Sequence, residues 1–137
     1  ETRTVKDYTR DIEADIKNDG EEYLQLDMYN STTITVPTFC QGTTGAYCTT
    51  LDIAKPLVSD GSIFINCNET TIGSEDEKAV LCSMNGDINI NATKANVYGL
   101  IYAPKGTVSI NVSEFDLVGT IIAKEIKLNG SYVRINQ

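Results

Sequence analysis

The stretch 99-GLIYAPKGTVSINVSEFDLVGTIIAKEIKLNG-130 contains two copies of one pattern, and this repetition decides the predicted fold. The copies begin at Gly99 and Gly119, which sets a period of about twenty residues. In each copy a small residue and apolar residues come first, and a segment of alternating apolar residues follows at 108–110 or 126–128. β-Branched residues are frequent and glycines recur at short intervals, which favours short strands over helices.

The same pattern extends back to about residue 54. The first segment has an earlier copy at 79–81, and the alternating segment has earlier copies at 63–65 and 88–90. One copy cannot bury its own apolar face, whereas stacked copies can. The residues expected to lie above one another in the buried stack are Ile63, Ile88, Val108 and Ile126. The sequence therefore predicts a mainly β protein, a short right-handed parallel β-helix or solenoid of about three to four coils.

Residues 1–20 are predicted to form an N-terminal helix. Val5, Tyr8, Ile12 and Ile16 follow one another at helical spacing, which places them in one apolar stripe of a helix. Charged residues occupy the other faces of this predicted helix.

Residues 21–53 are predicted to hold flanking strands and a cysteine-containing loop. Apolar and polar residues alternate over 23–29, and residues 33–36 are the expected partner strand. The solenoid coils are expected to occupy 54–137. The whole chain, 1–137, is of the size of a single domain.

The overall charge of the chain limits its partners. The sequence contains 11 lysines and arginines and 19 aspartates and glutamates, which gives a formal net charge of −8. An acidic surface repels phosphate backbones, so we expect no nucleic acid partner. The sequence has no apolar run of the length that a membrane-spanning helix needs, and we expect membrane attachment only through a removed anchor upstream of Glu1.

The sequence offers no catalytic machinery. It contains no histidine, which excludes a histidine relay and the mixed cysteine–histidine zinc sites. Neither a phosphate-binding loop nor a dinucleotide fingerprint is present. We therefore predict no catalytic residues, no metal and no cofactor.

Four cysteines, at 40, 48, 67 and 82, suggest disulfides. Their number is even, and no two of them form the close pair that a four-cysteine zinc site needs. Two disulfides imply an oxidising compartment. Of the three connectivities we favour Cys40–Cys48, which closes a small loop, with Cys67–Cys82 between neighbouring coils. Four buried thiols are the alternative.

An asparagine follows the alternating segment in every copy, and these asparagines are expected to stack as a structural ladder at a corner: Asn66, Asn91, Asn111 and Asn129. Three of them are also glycosylation sequons, but a buried ladder would exclude a glycan. Asn30 and Asn68 are the sequons expected at the surface.

Three tyrosines are a candidate binding face. Tyr98 and Tyr102 flank the segment 99–101, and Tyr132 lies near the end of the chain. Aligned on one face they would form an aromatic strip. Packing against the predicted helix explains them equally well.

The segment 99–130 resembles a family of solenoid segments, with the pattern G-L-I-Y-A-P-x-G-x-V-x-I followed by G-x-I-I-A-K-x-I-x-L-N-G. Such segments occur in bacterial cell-surface proteins, especially Gram-positive ones, often downstream of a pilin-like or other anchoring helix. The resemblance covers about residues 79–135. It implies an extracellular, cell-surface location and a role in assembly or adhesion. The implied partners are other surface or pilus subunits, or a host or extracellular ligand.

The leading functional hypothesis is a non-enzymatic surface module, either a pilus-associated subunit or an adhesin-like ectodomain. A small carbohydrate-active enzyme or carbohydrate-binding module on a β-helix is the first alternative. A self-polymerising scaffold of the bactofilin kind is the second, because an open last strand at 133–135 also allows a homo-oligomer.

Overall fold

The computed structural model describes residues 23–24, 27–28, 32–35, 37–40 and 42–136. All the helix and strand structure of these residues is β, so the protein is mainly β in the part described. The N-terminal helix predicted at 1–20 lies outside the described residues. The described residues contain no helix that is long and apolar enough to cross a membrane.

In the described part of the chain, ten strands form one parallel sheet. They are β1 (Tyr23–Leu24), β2 (Asp27–Met28), β3 (Thr32–Ile34), β4 (Thr38–Cys40), β5 (Thr44–Ile53), β6 (Leu57–Ser59), β7 (Ile63–Ile72), β8 (Ala79–Ser83), β9 (Ile88–Asn129) and β10 (Tyr132–Asn136). The sheet order is β1-β4-β6-β8-β9-β7-β5-β2, with β10 beside β9 and β3 beside β5. Most strands that pair are separated along the chain by another strand, and β9, which is 42 residues long, pairs with both β7 and β8. This is the pattern of a sheet that winds around an axis.

The pairing register shows that this winding repeats with the period seen in the sequence. We call the stretch between a residue and its partner on the next strand a coil. Thr44 pairs with Ile63, and coils of similar length follow later in the chain. The coil from Ile63 to its partner Ile88 is longer, because it contains the loop 73–78. The parallel sheet is thus nearly closed like a solenoid, and the predicted stacking of Ile63 on Ile88 is confirmed.

Parallel pairing begins well before residue 54. The residues that we assigned to the flanking strands and the cysteine-containing loop, 21–53, include β4 and β5, which pair with β6 and β7 of the repeat, so the expectation of a loop is wrong for these strands. The expected partnership of 33–36 with 23–29 is wrong for β3, which pairs with β5 instead. Ile34 lies beside Ile53 there and is buried, so stacking on the next coil buries an apolar side chain that a flanking hairpin would expose.

The core consists of side chains that point to the inside of the winding. On β7, Ile63 and Ile65 are 1% exposed, whereas Phe64 between them is 43% exposed. This alternation is the ordinary period of a strand with one buried face. The last coil is different, because four apolar residues in it are exposed: Ile126, Leu128, Val133 and Ile135. The expectation that Ile126 is buried in the stack is therefore wrong.

Two buried serines join neighbouring coils at one corner. Ser59 and Ser83 are register partners and have no exposed surface. The Ser83 hydroxyl donates to the Gly61 carbonyl at 2.6 Å and accepts from the Gly86 amide at 3.2 Å. Ser59 makes the equivalent bond one coil earlier, where its hydroxyl donates to the Gly42 carbonyl. Each serine therefore links its own loop to a glycine of the preceding coil.

Replacing Ser83 by alanine is expected to cost about 1–3 kcal/mol of unfolding free energy, because an amide and a carbonyl each lose a buried partner. Urea denaturation measures the loss. Ser113→Ala is the matched control, since Ser113 is exposed, and it is expected to change the stability by less than about 0.5 kcal/mol. Equal stabilities of the two variants would contradict a structural role of the Ser83 hydroxyl.

Candidate binding groove

An open groove of about 550 Å³ lies at one corner of the winding, where β5, β7 and β9 run side by side. Of the described residues that line it, none carries a charged side chain. The lining consists of Tyr47, Cys48, Thr49, Asn66, Cys67, Asn68, Asn91, Ala92 and Thr93.

The strand register explains which side chains reach the groove. Tyr47 pairs with Asn66, and Asn66 pairs with Asn91, so one outward position is repeated on three neighbouring coils. Tyr47 is open to solvent, with 68% of its surface exposed. The next position points inward, and there Cys48 and Cys67 are register partners. The groove therefore has an outer row of polar groups and a floor that contains sulfur.

The predicted asparagine column lies on the surface of this corner. Asn66 is half-buried, whereas Asn91, Asn111 and Asn129 are exposed. The Asn129 Nδ2 donates to Asn111 Oδ1 at 3.0 Å, which is the kind of bond between coils that a ladder requires. The expectation of a buried ladder is wrong. The asparagines are adjacent to residues whose side chains point inward, so along the strand their own side chains point outward.

This exposure also changes the view of the sequons. Asn68, Asn91, Asn111 and Asn129 are all exposed, so burial excludes a glycan at none of these four positions. Asn30 lies outside the described residues.

The chemistry of the groove suits an uncharged, hydroxyl-rich ligand. Asparagine amides both donate and accept hydrogen bonds, and threonine hydroxyls do the same. The exposed ring of Tyr47 adds a flat apolar surface with a polar tip. A charged ligand would find no opposite charge among the described lining residues, and the net charge of −8 disfavours anions.

Neither of the two predicted disulfides is supported by the structure. All four cysteines are present as thiols, and no pair lies at bonding distance. Cys40 packs in the inner core, while Cys82 packs in a separate cluster with Phe39, Val58 and Tyr102. Cys48 and Cys67 are neighbours instead. Burial raises the pKa of the Cys67 thiol to about 12, and a side-chain hydrogen bond with Cys48 that favours the protonated form of Cys67 adds to this effect.

The three tyrosines of the candidate binding face lie in different surroundings. Tyr102 is completely buried and so cannot present its ring to a ligand. Tyr98 is half-buried, and Tyr132 is exposed. The Tyr132 hydroxyl accepts a hydrogen bond from Arg134 Nε at 3.2 Å, and the Arg134 guanidinium lies 4.8 Å from the ring centre.

Tyr47 is the groove residue that the sequence analysis missed. It was assigned to the cysteine loop, yet it stands one coil before Asn66, its register partner. That spacing was the available signal. Within the described residues no group of three or more cysteines, aspartates or glutamates is arranged to hold a metal ion.

Fold and groove together define a mainly β protein whose parallel sheet is nearly closed like a solenoid and carries an uncharged groove at one corner. A comparison of the chain with family models, with curated proteins and with solved structures finds no match.

Proposed function

We propose that this chain is a non-enzymatic extracellular surface module, an adhesin-like ectodomain or pilus-associated subunit, and that it acts in adhesion through the groove. The observation that carries the proposal is the open row of Tyr47, Asn66 and Asn91 on three paired strands. Strands hold such a row more rigidly than loops do, and a rigid row of uncharged polar groups recognises shape and hydroxyls. The resemblance of residues 79–135 to surface proteins points to the same location.

We also propose the finer description of the fold, a right-handed parallel β-helix of about three to four coils that follows an N-terminal helix. The repeated parallel register supports the solenoid, because the coils are close to the period of the sequence pattern except where the loop 73–78 lengthens one of them. The strong preference of parallel crossovers for right-handed connections supports the hand. A crystal structure of the whole chain tests both points, and a left-handed winding would refute the second.

A glycan is the ligand class that the lining favours. Amides, hydroxyls and one exposed aromatic ring are the groups with which proteins hold neutral sugars, through hydrogen bonds and stacking. If the chain only binds a glycan, with no part in adhesion, it is a carbohydrate-binding module, the first alternative. Retention of the polysaccharide chain length after long incubation with the protein would argue against hydrolysis.

Tyr47→Ala is expected to lower glycan affinity by about tenfold or more, because it removes the aromatic ring found among the described lining residues of the groove. A glycan array followed by calorimetry on the best ligand measures the change. Phe64→Ala is the matched control, since Phe64 is also an exposed aromatic residue of this face but is not part of the groove lining. Equal losses in both variants, or a blank array, would contradict glycan binding by the groove.

The cellular location of the protein is tested separately from its ligand binding. Protease treatment of intact cells of the source strain is expected to remove the protein, as detected by an antibody, while a cytoplasmic marker survives. Survival of the protein would refute surface display. Electron microscopy of the purified chain tests the scaffold alternative, for which filaments are the expected result.

A further inference from the structure

Cys48 and Cys67 face each other across two neighbouring coils at the floor of the groove. They are register partners on β5 and β7, and both belong to the inner core or pack against it. Neighbouring strands lie about 4.8 Å apart, which is within the range of Cα separations that a disulfide bridges. A side-chain hydrogen bond with Cys48 contributes to the raised pKa of the Cys67 thiol, which agrees with this register.

We propose that Cys48 and Cys67 form a disulfide between coils when the protein meets an oxidant of the disulfide class, and that Cys40 and Cys82 remain thiols. The other pairings are opposed by the fold. Cys40 points into the core and Cys82 to the opposite side of its sheet, in a second apolar cluster. Cys82 lies on β8 and Cys40 lies on β4, and β6 lies between these two strands. Cys82 pairs there with Val58 of β6, so a whole strand separates it from Cys40.

The order of the reaction follows from exposure. Cys48 is half-buried and lines the open groove, so an oxidant reaches it, whereas Cys67 is only 3% exposed. The thiolate is the attacking form, and the raised pKa of Cys67 makes its thiolate rare at neutral pH. Cys48 is therefore the first nucleophile and Cys67 the resolving thiol.

The step balances as thiol–disulfide exchange. The Cys48 thiol loses its proton to solvent, and its sulfur attacks one sulfur of oxidised glutathione, which releases one glutathione thiolate. Cys67 then loses its proton and attacks the Cys48 sulfur, which releases the second glutathione. The protein loses two protons and two electrons, and the reagent becomes two molecules of reduced glutathione.

This bond would fix the groove as well as the coils. Tyr47 and Asn66 precede the two cysteines directly, so a link between the cysteines holds the two outer groups in register. Closing the loop of residues 48–67 restricts the unfolded chain, and a rise in Tm of roughly 10 °C is expected on oxidation.

The experiment uses the full purified chain, incubated with oxidised glutathione and then denatured, alkylated and analysed by peptide mass mapping. We expect a peptide pair joined by Cys48 and Cys67, with alkylated Cys40 and Cys82. The variant carrying Cys40→Ala and Cys82→Ala is expected to oxidise in the same way and to show the same rise in Tm. Cys48→Ser is expected to form no internal disulfide and to show no rise.

Three results would overturn the proposal: a link from Cys40 to Cys48, a link from Cys67 to Cys82, or four alkylated thiols after prolonged oxidation. Glutathione retained on Cys48 alone would also overturn it, because the resolving step would then fail. Mapping of the unaltered chain gives the answer even where the double variant does not fold. The outcome is independent of the glycan test, since it requires no ligand.

Discussion

Gly119→Ala is expected to destabilise the protein by on the order of 3–5 kcal/mol, a large share of the roughly 5–15 kcal/mol that stabilises a typical domain. Gly119 has a φ of +148°, a backbone conformation that residues with a Cβ rarely adopt. A Cβ built at this position would lie 1.9 Å from the carbonyl oxygen of Gly99, on the preceding coil. Backbone strain and a clash with the backbone therefore add to each other.

The same geometry recurs one coil earlier. Gly99 has a φ of +140°, and its Cβ would lie 1.9 Å from the carbonyl oxygen of Ala79. Glycine is thus required where the chain passes close to the coil beneath it. Gly99→Ala is expected to have an effect as large as that of Gly119→Ala, as measured by chemical denaturation followed by circular dichroism.

Gly42→Ala is the control that separates strain from contact. Gly42 also has a positive φ, of +78°, but its missing Cβ would meet nothing within 4 Å. Its replacement should cost only the conformational strain, about 1–2 kcal/mol. If Gly119→Ala costs no more than Gly42→Ala, the close approach between the coils is refuted.

The regular part of the repeat could be predicted from the sequence. Residues such as Ile63 and Ile88 recur in similar surroundings, and Gly99 and Gly119 start equivalent segments, so the stacking direction follows from the period. The strands of the first coils are shorter or less apolar, and β3 covers only Thr32–Ile34. Such a segment fits a hairpin as well as a solenoid until its partner is known.

The site was harder to predict than the fold. The spacing between Asn66 and the later asparagines identified the column but not its outward direction, and Tyr47 occupies the same column with a different chemistry. The predicted cysteine pairs lack support in the structure for a related reason. A short loop between Cys40 and Cys48 appears favourable from chain length, whereas neighbours in a solenoid lie about one coil apart, as Cys48 and Cys67 do.

Ile65→Ala is expected to cost about 2–5 kcal/mol of unfolding free energy, because it leaves a cavity in the middle of the stack. Ile65 is 1% exposed and pairs with Ala46 on one side and Ile90 on the other. Both neighbours belong to hydrogen-bonded strands, so the coils cannot easily close the gap. Ile65→Val removes only one methyl group and should cost about 0.5–1.5 kcal/mol.

Phe64→Ala tests whether this cost depends on the direction of the side chain. Phe64 is the adjacent residue of the same strand and is larger than Ile65, but it is 43% exposed and pairs with Gly45 and Asn89. Its truncation should cost less than about 1 kcal/mol, since much of the ring is already in water. A register shifted by one residue would reverse the two positions. A larger loss for Phe64→Ala than for Ile65→Ala would therefore contradict the register of β7 and, with it, the outward placement of Tyr47 and Asn66 on which the groove depends.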